Sequence, residues 1–224
     1  MMDFQFHVAA DSFGLLIHGL LLTVELTLVV MVLSLVFGLI VALAGLSRIA
    51  VLRWMVKAYI EVIRGTPLLL QLIYIYFVLP EFGITLNSFV AAVIALTLNY
   101  SAFISEVYRG AIQAVARGQF DAAAALGMTP GLSMRRIIVP QAVRMVVPSL
   151  GNYFISLFKD TALCSVISMQ EIMFKAQMSA AQNFQYFTLY TMVAIMYFAV
   201  SFPAARLVEH VDRVSRRAFT RRTH

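Results

Sequence analysis

Residues 15–46 read LLIHGLLLTVELTLVVMVLSLVFGLIVALAGL, and this run decides the class of protein. About 20 apolar residues are enough to cross the hydrocarbon core of a bilayer, so the run is long enough to span it. The preceding segment, Met1 to Ser12, has no Lys or Arg and therefore lacks the basic region of a secretory signal. We predict a retained membrane helix, in which Glu25 has no obvious partner in the sequence.

The composition of the whole chain has the same character. The 224 residues are 61% hydrophobic and 12% charged, with a mean hydropathy of +0.86, which excludes a water-soluble globular protein. We predict a single transmembrane domain over residues 1–224. The one cysteine, Cys164, lies in an apolar run, so this chain builds neither an internal disulfide nor a thiolate metal site. We expect no bound metal and no bound cofactor.

Five segments are long enough to cross a membrane, which predicts an all-α polytopic helix bundle. The net charge of +6 does not indicate nucleic acid, because the basic residues cluster in three of the connections and tails. Since Lys and Arg favour the cytoplasmic side, the N-terminus is predicted outside and the C-terminus in the cytoplasm. The basic tail faces anionic lipid headgroups in this interpretation. The five segments are Leu15 to Leu46, Tyr59 to Leu79, Ser88 to Val107, Val143 to Ile167 and Phe187 to Leu207.

The second segment is shorter than the others in its uninterrupted apolar part. Residues 68–79 form a run of about 18 Å at the helical rise of 1.5 Å per residue, so the helix must extend backwards to span the membrane. That extension passes Glu61, Arg64 and Pro67. Either a kinked helix shelters these groups or the segment is broken there, and we favour the kinked helix.

The connection between the third and fourth segments, residues 117–140, is richer in helix formers than a plain loop. Asp121 to Leu126 is predicted as a helix that Gly127 ends. Thr129 and Pro130 supply an N-cap and a proline at the first helical position of a second helix, which Pro140 stops. The sequence therefore predicts two short helices that meet at a tight turn.

The second of these helices is amphipathic, with Met134, Ile137 and Ile138 on one side and Arg135 and Arg136 on the other. A helix of this kind can rest on the membrane surface. It can equally be a docking element for another protein, and local physical rules leave the two interpretations at even odds.

The string Asp121-Ala-Ala with Gly127 and the stretch Ile137 to Pro140 resembles the "EAA" loop of ATP-binding-cassette importer permeases. Asp121 stands where that family usually has Glu, which keeps the charge. The likeness extends to EVIRGTPLL at 61–69, EVYRGAIQ at 106–113 and KDTAL at 159–163, and so covers nearly the whole chain. Together these strings look like the branch of the family that transports polar amino acids.

The resemblance implies a type I importer permease in a bacterial inner membrane. Its partners would be ATP-binding-cassette ATPase subunits that hold ATP and Mg, a second permease that is identical or related, an extracytoplasmic solute-binding protein and the amino-acid substrate. The turn from Gly127 to Gly131 would be the coupling helix that seats in the ATPase. The implied coupling residues are Asp121, Ala122, Ala123, Gly127, Met128, Thr129, Pro130, Gly131, Arg135 and Pro140.

Polar residues at membrane depth are candidates for the translocation path, because ionisable groups there are costly. Lys159 and Asp160 are adjacent and point about 100° apart on a helix, so one is expected to face the path while the other pairs with a neighbouring helix. An ion pair that only fixes helix register is an equally weighted alternative. The further candidates are Asn99, Ser101, Ser105, Glu106 and Thr161. For Ser101, Ser105 and Thr161 we favour the alternative that each hydroxyl bonds to its own helix backbone.

Other function classes require sequence motifs that this chain lacks. None of the three lysines follows a glycine, so the chain has no P-loop and is not expected to be an enzyme. An intramembrane hydrolase is disfavoured because no HExxH or GxSxG string is present. An ion-coupled secondary amino-acid transporter remains the main alternative, although no inverted repeat is visible.

Overall fold

The computed structural model describes residues 4–220, with side chains to residue 213. Within that range the chain is helical and contains no strand. Three of the helices are interrupted or continued by short segments of other helical types: π turns at Tyr74–Val78 and Met134–Ile138, and 3₁₀ turns at Leu79–Phe82 and Thr161–Ile167. The α-helices are α1 Phe6–Gly45, α2 Ala50–Gly65, α3 Leu68–Ile73, α4 Ser88–Ala114, α5 Arg117–Ala125, α6 Pro130–Ser133, α7 Val139–Asp160, α8 Ile172–Asn183 and α9 Tyr186–Thr220.

Among the described residues, three helices are long and apolar enough to cross a membrane, namely α1, α4 and α9. A fourth span is possible if α2 and α3 count as one bent span. Helix α7 begins in the third predicted connection and, with the 3₁₀ turn after it, covers the fourth predicted segment, but it is not among the helices that are long and apolar enough to cross. By length and composition the chain therefore has three or four candidate spans.

The predicted kinked helix over the second segment is wrong, because α2 and α3 meet at an angle of 104°. Pro67 disfavours a helical conformation at the preceding residue, and Thr66 is extended with φ −117° and ψ 144°. The amide of Gln71 then compensates the break by donating to the carbonyls of Ile63 at 2.9 Å and Thr66 at 3.2 Å. Helix α2 is therefore a separate amphipathic helix, and none of its residues is fully buried.

Helix α1 packs along α4 and crosses α8, and Gly19 is the closest point of the second contact. A Cβ atom at Gly19 would lie 2.7 Å from the Cα atom of Ile172, which is backbone that cannot rotate away. Thr23, one turn later on α1, accepts a hydrogen bond from the N–H of Ile172 at 3.3 Å. The absence of a side chain at residue 19 thus sets how closely the two helices approach.

Replacing Gly19 by alanine is expected to destabilise the fold by about 1–3 kcal/mol, the usual cost of overpacking a well-packed interior. Gly14 on the same helix has nothing within 4 Å of an added Cβ and supplies the matched control. Thermal unfolding of the detergent-solubilised protein would show a lower Tm for Gly19→Ala and no loss for Gly14→Ala. Equal Tm values for the two variants would contradict the close contact.

Helix α8 lies in the connection between the fourth and fifth predicted segments, where no helix was predicted. Glu171 starts the helix, and its carboxylate accepts from the backbone N–H groups of Met173 at 2.8 Å and Phe174 at 2.6 Å. Tyr197 on α9 donates to the same carboxylate at 3.2 Å. Glu171 is completely buried, and this burial raises its pKa to about 7 against the opposing effect of the two N–H groups.

This raised pKa predicts a pH-dependent stability. Because the folded protein binds the Glu171 proton more tightly than the unfolded chain, the contribution is complete below the ordinary glutamate pKa of about 4.5 and is lost as pH rises through about 7. The Tm of the natural protein should therefore fall more between pH 5 and pH 8 than the Tm of Glu171→Gln, which stays neutral. A pH dependence that is identical in the two proteins would exclude Glu171 as its source.

The predicted pair of helices after α4 is present as α5 and α6, which meet at Gly127. The φ angle of Gly127 is +72°, and the N–H groups of Gly127 and Met128 donate to the carbonyls of Ala124 and Ala123. Thr129 occupies the predicted N-cap position, but its side chain makes no capping bond. Helix α5 begins at Arg117, four residues before the predicted start.

The prediction that Pro140 stops the second helix is wrong. The backbone stays helical through α6, the π turn and α7, and Pro140 lies in the first turn of α7. Proline lacks an N–H and its ring crowds the preceding helical turn. The wider π turn at Met134–Ile138 directly before it loosens that turn, which is how the helix tolerates the proline.

Candidate functional site

An open cavity of about 330 Å³ lies where α3, α4 and α7 approach the break after α2. We call it the Asp160 cavity. Two tyrosines and a phenylalanine form its aromatic wall: the Tyr153 ring lies 6.2 Å from the ring of Tyr100 and 6.1 Å from that of Phe103, centroid to centroid. The cavity is lined by Thr66, Leu68, Asn99, Tyr100, Phe103, Tyr153, Ser156 and Asp160.

Asp160 is the only residue of this lining with an ionisable carboxyl group, and it is the last residue of α7. The hydroxyl of Tyr100 donates to its Oδ2 atom at 2.7 Å. Tyr100 itself is buried, which fixes the position of the hydroxyl and hence of the carboxylate. A carboxylate with further lone pairs on an open cavity can accept hydrogen bonds from a cationic group.

A pair of amides ties the cavity to the break between α2 and α3. Asn99 on α4 donates through Nδ2 to Oε1 of Gln71 at 3.0 Å. Gln71 in turn donates to the carbonyls that the break leaves without helical partners and to the hydroxyl of Thr66 at 2.8 Å. The position of Thr66 at the cavity wall therefore depends on an interhelical contact with Asn99.

Lys159 and Asp160 diverge in the structure as adjacent helical residues must. Asp160 is half-buried and lines the cavity, whereas Lys159 is exposed and does not. Within the part of the chain whose side chains are described, Lys159 makes no ion pair with a neighbouring helix.

The other candidate path residues lie outside the Asp160 cavity. Ser101 lies about 200° around α4 from Asn99 and lines a separate apolar groove, where Tyr59 shares a hydrogen bond with it at 2.8 Å. Ser105 and Thr161 are buried and donate to carbonyls of their own helical turns, at Ala102 and Phe158. Ser101 also donates to a carbonyl of its own helix, that of Leu98, at 3.2 Å, so all three hydroxyls bond to the backbone as expected.

Glu106 forms a two-pronged pair with Arg109, one helical turn later on α4. Arg109 donates through Nε and Nη2 to the two carboxylate oxygens at 2.9 and 2.6 Å. This pair lines a second cavity, described below, and Asn99, Phe103 and Glu106 follow the same face of α4 towards it.

Sequence reasoning missed Tyr100, Tyr153 and Ser156. A usable signal existed on α7, because Tyr153, Ser156 and Asp160 are spaced three and four residues apart and so share one face of the helix. Tyr100 could not be found in this way, since its contact with Asp160 joins residues 60 positions apart.

The turn between α5 and α6 projects an apolar side chain. Leu126, at the end of α5, is 79% exposed, because no other residue of the described chain covers it. Of the residues implied in ATPase coupling, Ala123 is buried and Met128 is half-buried. The remaining ones are exposed: Asp121, Ala122, Gly127, Thr129, Pro130, Gly131, Arg135 and Pro140.

Across the described residues, no three His, Cys, Asp or Glu side chains lie close enough together to hold an ion. Cys164 is buried and unpaired.

Comparisons with known proteins cover almost the whole chain. The family described as binding-protein-dependent transport system inner membrane component matches residues 13–217. The chain is 41% identical over 205 residues to the L-cystine transport system permease protein TcyB of Bacillus subtilis, covering 91% of this chain and 87% of that protein. The crystal structure of an amino acid ABC transporter with histidines has a TM-score of 0.91 at 38% identity, covering 94% and 99% of the two chains. An inward-facing MetNI methionine ABC transporter, 22% identical with a TM-score of 0.71, covers 90% and 98% and shares the fold.

Proposed function

This chain belongs to the family of binding-protein-dependent transport system inner membrane components, and from this premise we propose how it works as the permease subunit of an ATP-driven amino-acid importer. The observation that carries the proposal is the match to an amino-acid permease over 91% of the chain. In this family ATP is hydrolysed by a separate ATPase subunit, and an ion-coupled secondary transporter is not favoured.

The Asp160 cavity is the proposed substrate site. A polar amino acid carries an ammonium group that needs acceptors, and Asp160, held by Tyr100, supplies a charged one. Asn99 and Ser156 add polar atoms to the same lining. The aromatic wall of Tyr100, Phe103 and Tyr153 makes one side of the lining apolar, and a polar contact with the substrate is stronger beside such a wall than in bulk water.

The proposed topology has five crossings of a bacterial inner membrane, with the N-terminus outside and the C-terminus in the cytoplasm. Helix α7 with its 3₁₀ turn would be the fourth crossing. Its polar residues are tolerated at membrane depth if they face the cavity and the other helices instead of lipid, as Asp160 does. The concentration of Arg and Lys in the connections after α1 and α4 and in the C-terminal tail supports this orientation.

The α5–α6 turn is the proposed contact with the ATPase. Its exposed Leu126 suits a groove of another protein, because a large apolar side chain at a tip gains most from burial. The proposed partners are two ATPase subunits that bind ATP and Mg, a second permease that is identical or related, and an extracytoplasmic solute-binding protein that delivers the amino acid. Membrane lipid surrounds the bundle, and no nucleic-acid partner is proposed.

Purification from native membranes tests the assembly. A tagged copy of this chain, solubilised in a mild detergent, should bring down an ATP-binding-cassette ATPase in stoichiometric amount. An affinity tag added after His224 lies far from the α5–α6 turn in sequence and serves for capture. Recovery of the chain without any ATPase would count against the proposal.

A further inference from the structure

A second cavity, of about 370 Å³, opens between α2 and α4 next to the Asp160 cavity. We call it the Arg64 cavity. Phe103 separates the two: its ring lines the Asp160 cavity, and the guanidinium of Arg64 lies over that ring at 5.3 Å from its centroid. The Arg64 cavity is lined by Gly45, Arg53, Val56, Lys57, Ile60, Glu61, Arg64, Glu106 and Arg109.

The charges around the Arg64 cavity are unequally compensated. Arg109 is paired with Glu106, as described above, and also donates to Gln113 at 2.9 Å. Lys57 lies 3.7 Å from the carboxylate of Glu61. The acids in this lining are therefore each matched by one base.

The two remaining bases differ in how their donors are used. Arg53 donates to the carbonyls of Ser47 at 3.0 Å and Arg48 at 2.9 Å, which hold the turn between α1 and α2. Arg64 makes neither a hydrogen bond nor an ion pair with any side chain described to residue 213. Its guanidinium lies over the Phe103 ring and is attracted at longer range by the Glu106 carboxylate, which Arg109 already pairs. A guanidinium with its donors uncommitted thus faces a cavity beside the proposed substrate site.

We infer that Arg64 binds the carboxylate of the transported amino acid at a second station, reached once the solute passes Phe103. Guanidinium and carboxylate match in a planar, two-pronged geometry, and the stacked ring holds the guanidinium plane in place. The inference rests on the proposed function, since it gives the solute of the Asp160 cavity its next contact.

The two stations bind opposite ends of the same zwitterion. Asp160 attracts the ammonium group in the first cavity, and Arg64 attracts the carboxylate in the second. The second station lies further along α4 in the direction of Glu106, the end that the proposed topology places in the cytoplasm. The order of charges therefore orients the amino acid along the path, with its ammonium group towards Asp160 and its carboxylate towards Arg64.

The test uses the complete complex, with its ATPase and solute-binding protein, in proteoliposomes. Uptake of radiolabelled L-arginine, L-glutamine and L-cystine identifies a transported solute in the natural complex. Arg64→Gln is expected to lower ATP-driven uptake of that solute by about tenfold, the size expected when a charged hydrogen bond is lost. Arg48→Gln removes the same charge from an exposed position in the turn before α2 that lines neither cavity, and should transport within about twofold of the natural complex.

A binding readout separates a carboxylate contact from a merely structural one. In the detergent-solubilised, nucleotide-free complex, the amino acid should compete for binding better than its carboxyl methyl ester. This preference should disappear in Arg64→Gln and be weaker but measurable in Arg64→Lys, which keeps the charge and loses the planar fork. Retention of the full preference in Arg64→Gln, together with lower uptake, would assign Arg64 to packing on Phe103 and overturn the inference.

The outcomes also separate the inference from the proposed function. Natural uptake and natural preference in Arg64→Gln would overturn the second station while leaving the importer intact. An equal loss in Arg48→Gln would likewise overturn it, because the effect would then follow net charge and not the position of Arg64. Absence of ATP-driven uptake in the natural complex would instead remove the proposed function itself.

Discussion

Replacement of Asp160 by alanine is expected to reduce ATP-driven amino-acid uptake by about 10- to 100-fold, the equivalent of one lost charge-assisted hydrogen bond to the substrate. The carboxylate is the one acidic group of the cavity, and Tyr100 holds it at 2.7 Å. Its removal leaves the substrate ammonium without a charged acceptor. Initial rates of radiolabelled uptake into proteoliposomes measure the effect.

The neighbouring lysine provides the control for this experiment. Lys159→Ala changes an exposed side chain that does not line the cavity, so uptake should stay within about twofold of the natural rate. Asp160→Asn keeps the volume of the side chain and removes its charge, and it should resemble Asp160→Ala. Natural uptake by Asp160→Asn would show that the charge plays no part in recognition.

Replacement of Leu126 by aspartate is expected to abolish stimulation of the ATPase by the loaded solute-binding protein. Leu126 is 79% exposed at the α5–α6 turn, and burying it in a partner contributes about 1.5–3 kcal/mol that a carboxylate would forfeit. A buried unpaired charge adds its own desolvation cost. Phosphate release by the purified complex, with and without the loaded binding protein, measures this coupling.

A second exposed leucine serves as the control for the coupling experiment. Leu46, at the end of α1, is 41% exposed and lies in the connection to α2. Leu46→Asp should leave ATPase stimulation in place, since the contact is proposed for the α5–α6 turn alone. If Leu126→Asp keeps full stimulation and still binds the ATPase, the turn does not transmit the signal.

Local rules predicted the helices that depend on apolar runs and end signals. The cores of α1, α4 and α9 lie where long apolar stretches were found, and Gly127 ends α5 in the expected left-handed conformation. Helix α8 was missed because its start depends on Glu171, whose buried carboxylate could be recognised only once the neighbouring helices were in place.

At the junction of α2 and α3, the sequence alone could not distinguish a kinked helix from a broken one. Pro67 is compatible with a kink or a break, and the outcome depends on whether the exposed carbonyls find donors. Gln71 supplies them, and Asn99 from another helix holds Gln71 in place. Such a contact over 28 residues has no local signature.

The candidate site was also predictable only in part, because its contacts join helices that are far apart in sequence. Asn99 was a candidate from sequence, and it lines the cavity together with Phe103, which lies four residues later on the same face of α4. Periodicity does not say which face a neighbouring helix covers, so Ser101 and Lys159 remained candidates that the structure places elsewhere. The roles proposed for Tyr100 and Arg64 depend on contacts with residues of other helices, which no local sequence pattern shows.

The central claim is that this chain moves amino acids with energy taken from a partner's ATP cycle. Accumulation of labelled amino acid in proteoliposomes containing the chain, its ATPase and the solute-binding protein tests it most directly. Uptake should require ATP and the ATPase, and it should persist when ion gradients are collapsed. Accumulation by this chain alone, driven by an ion gradient without ATP, would contradict the claim.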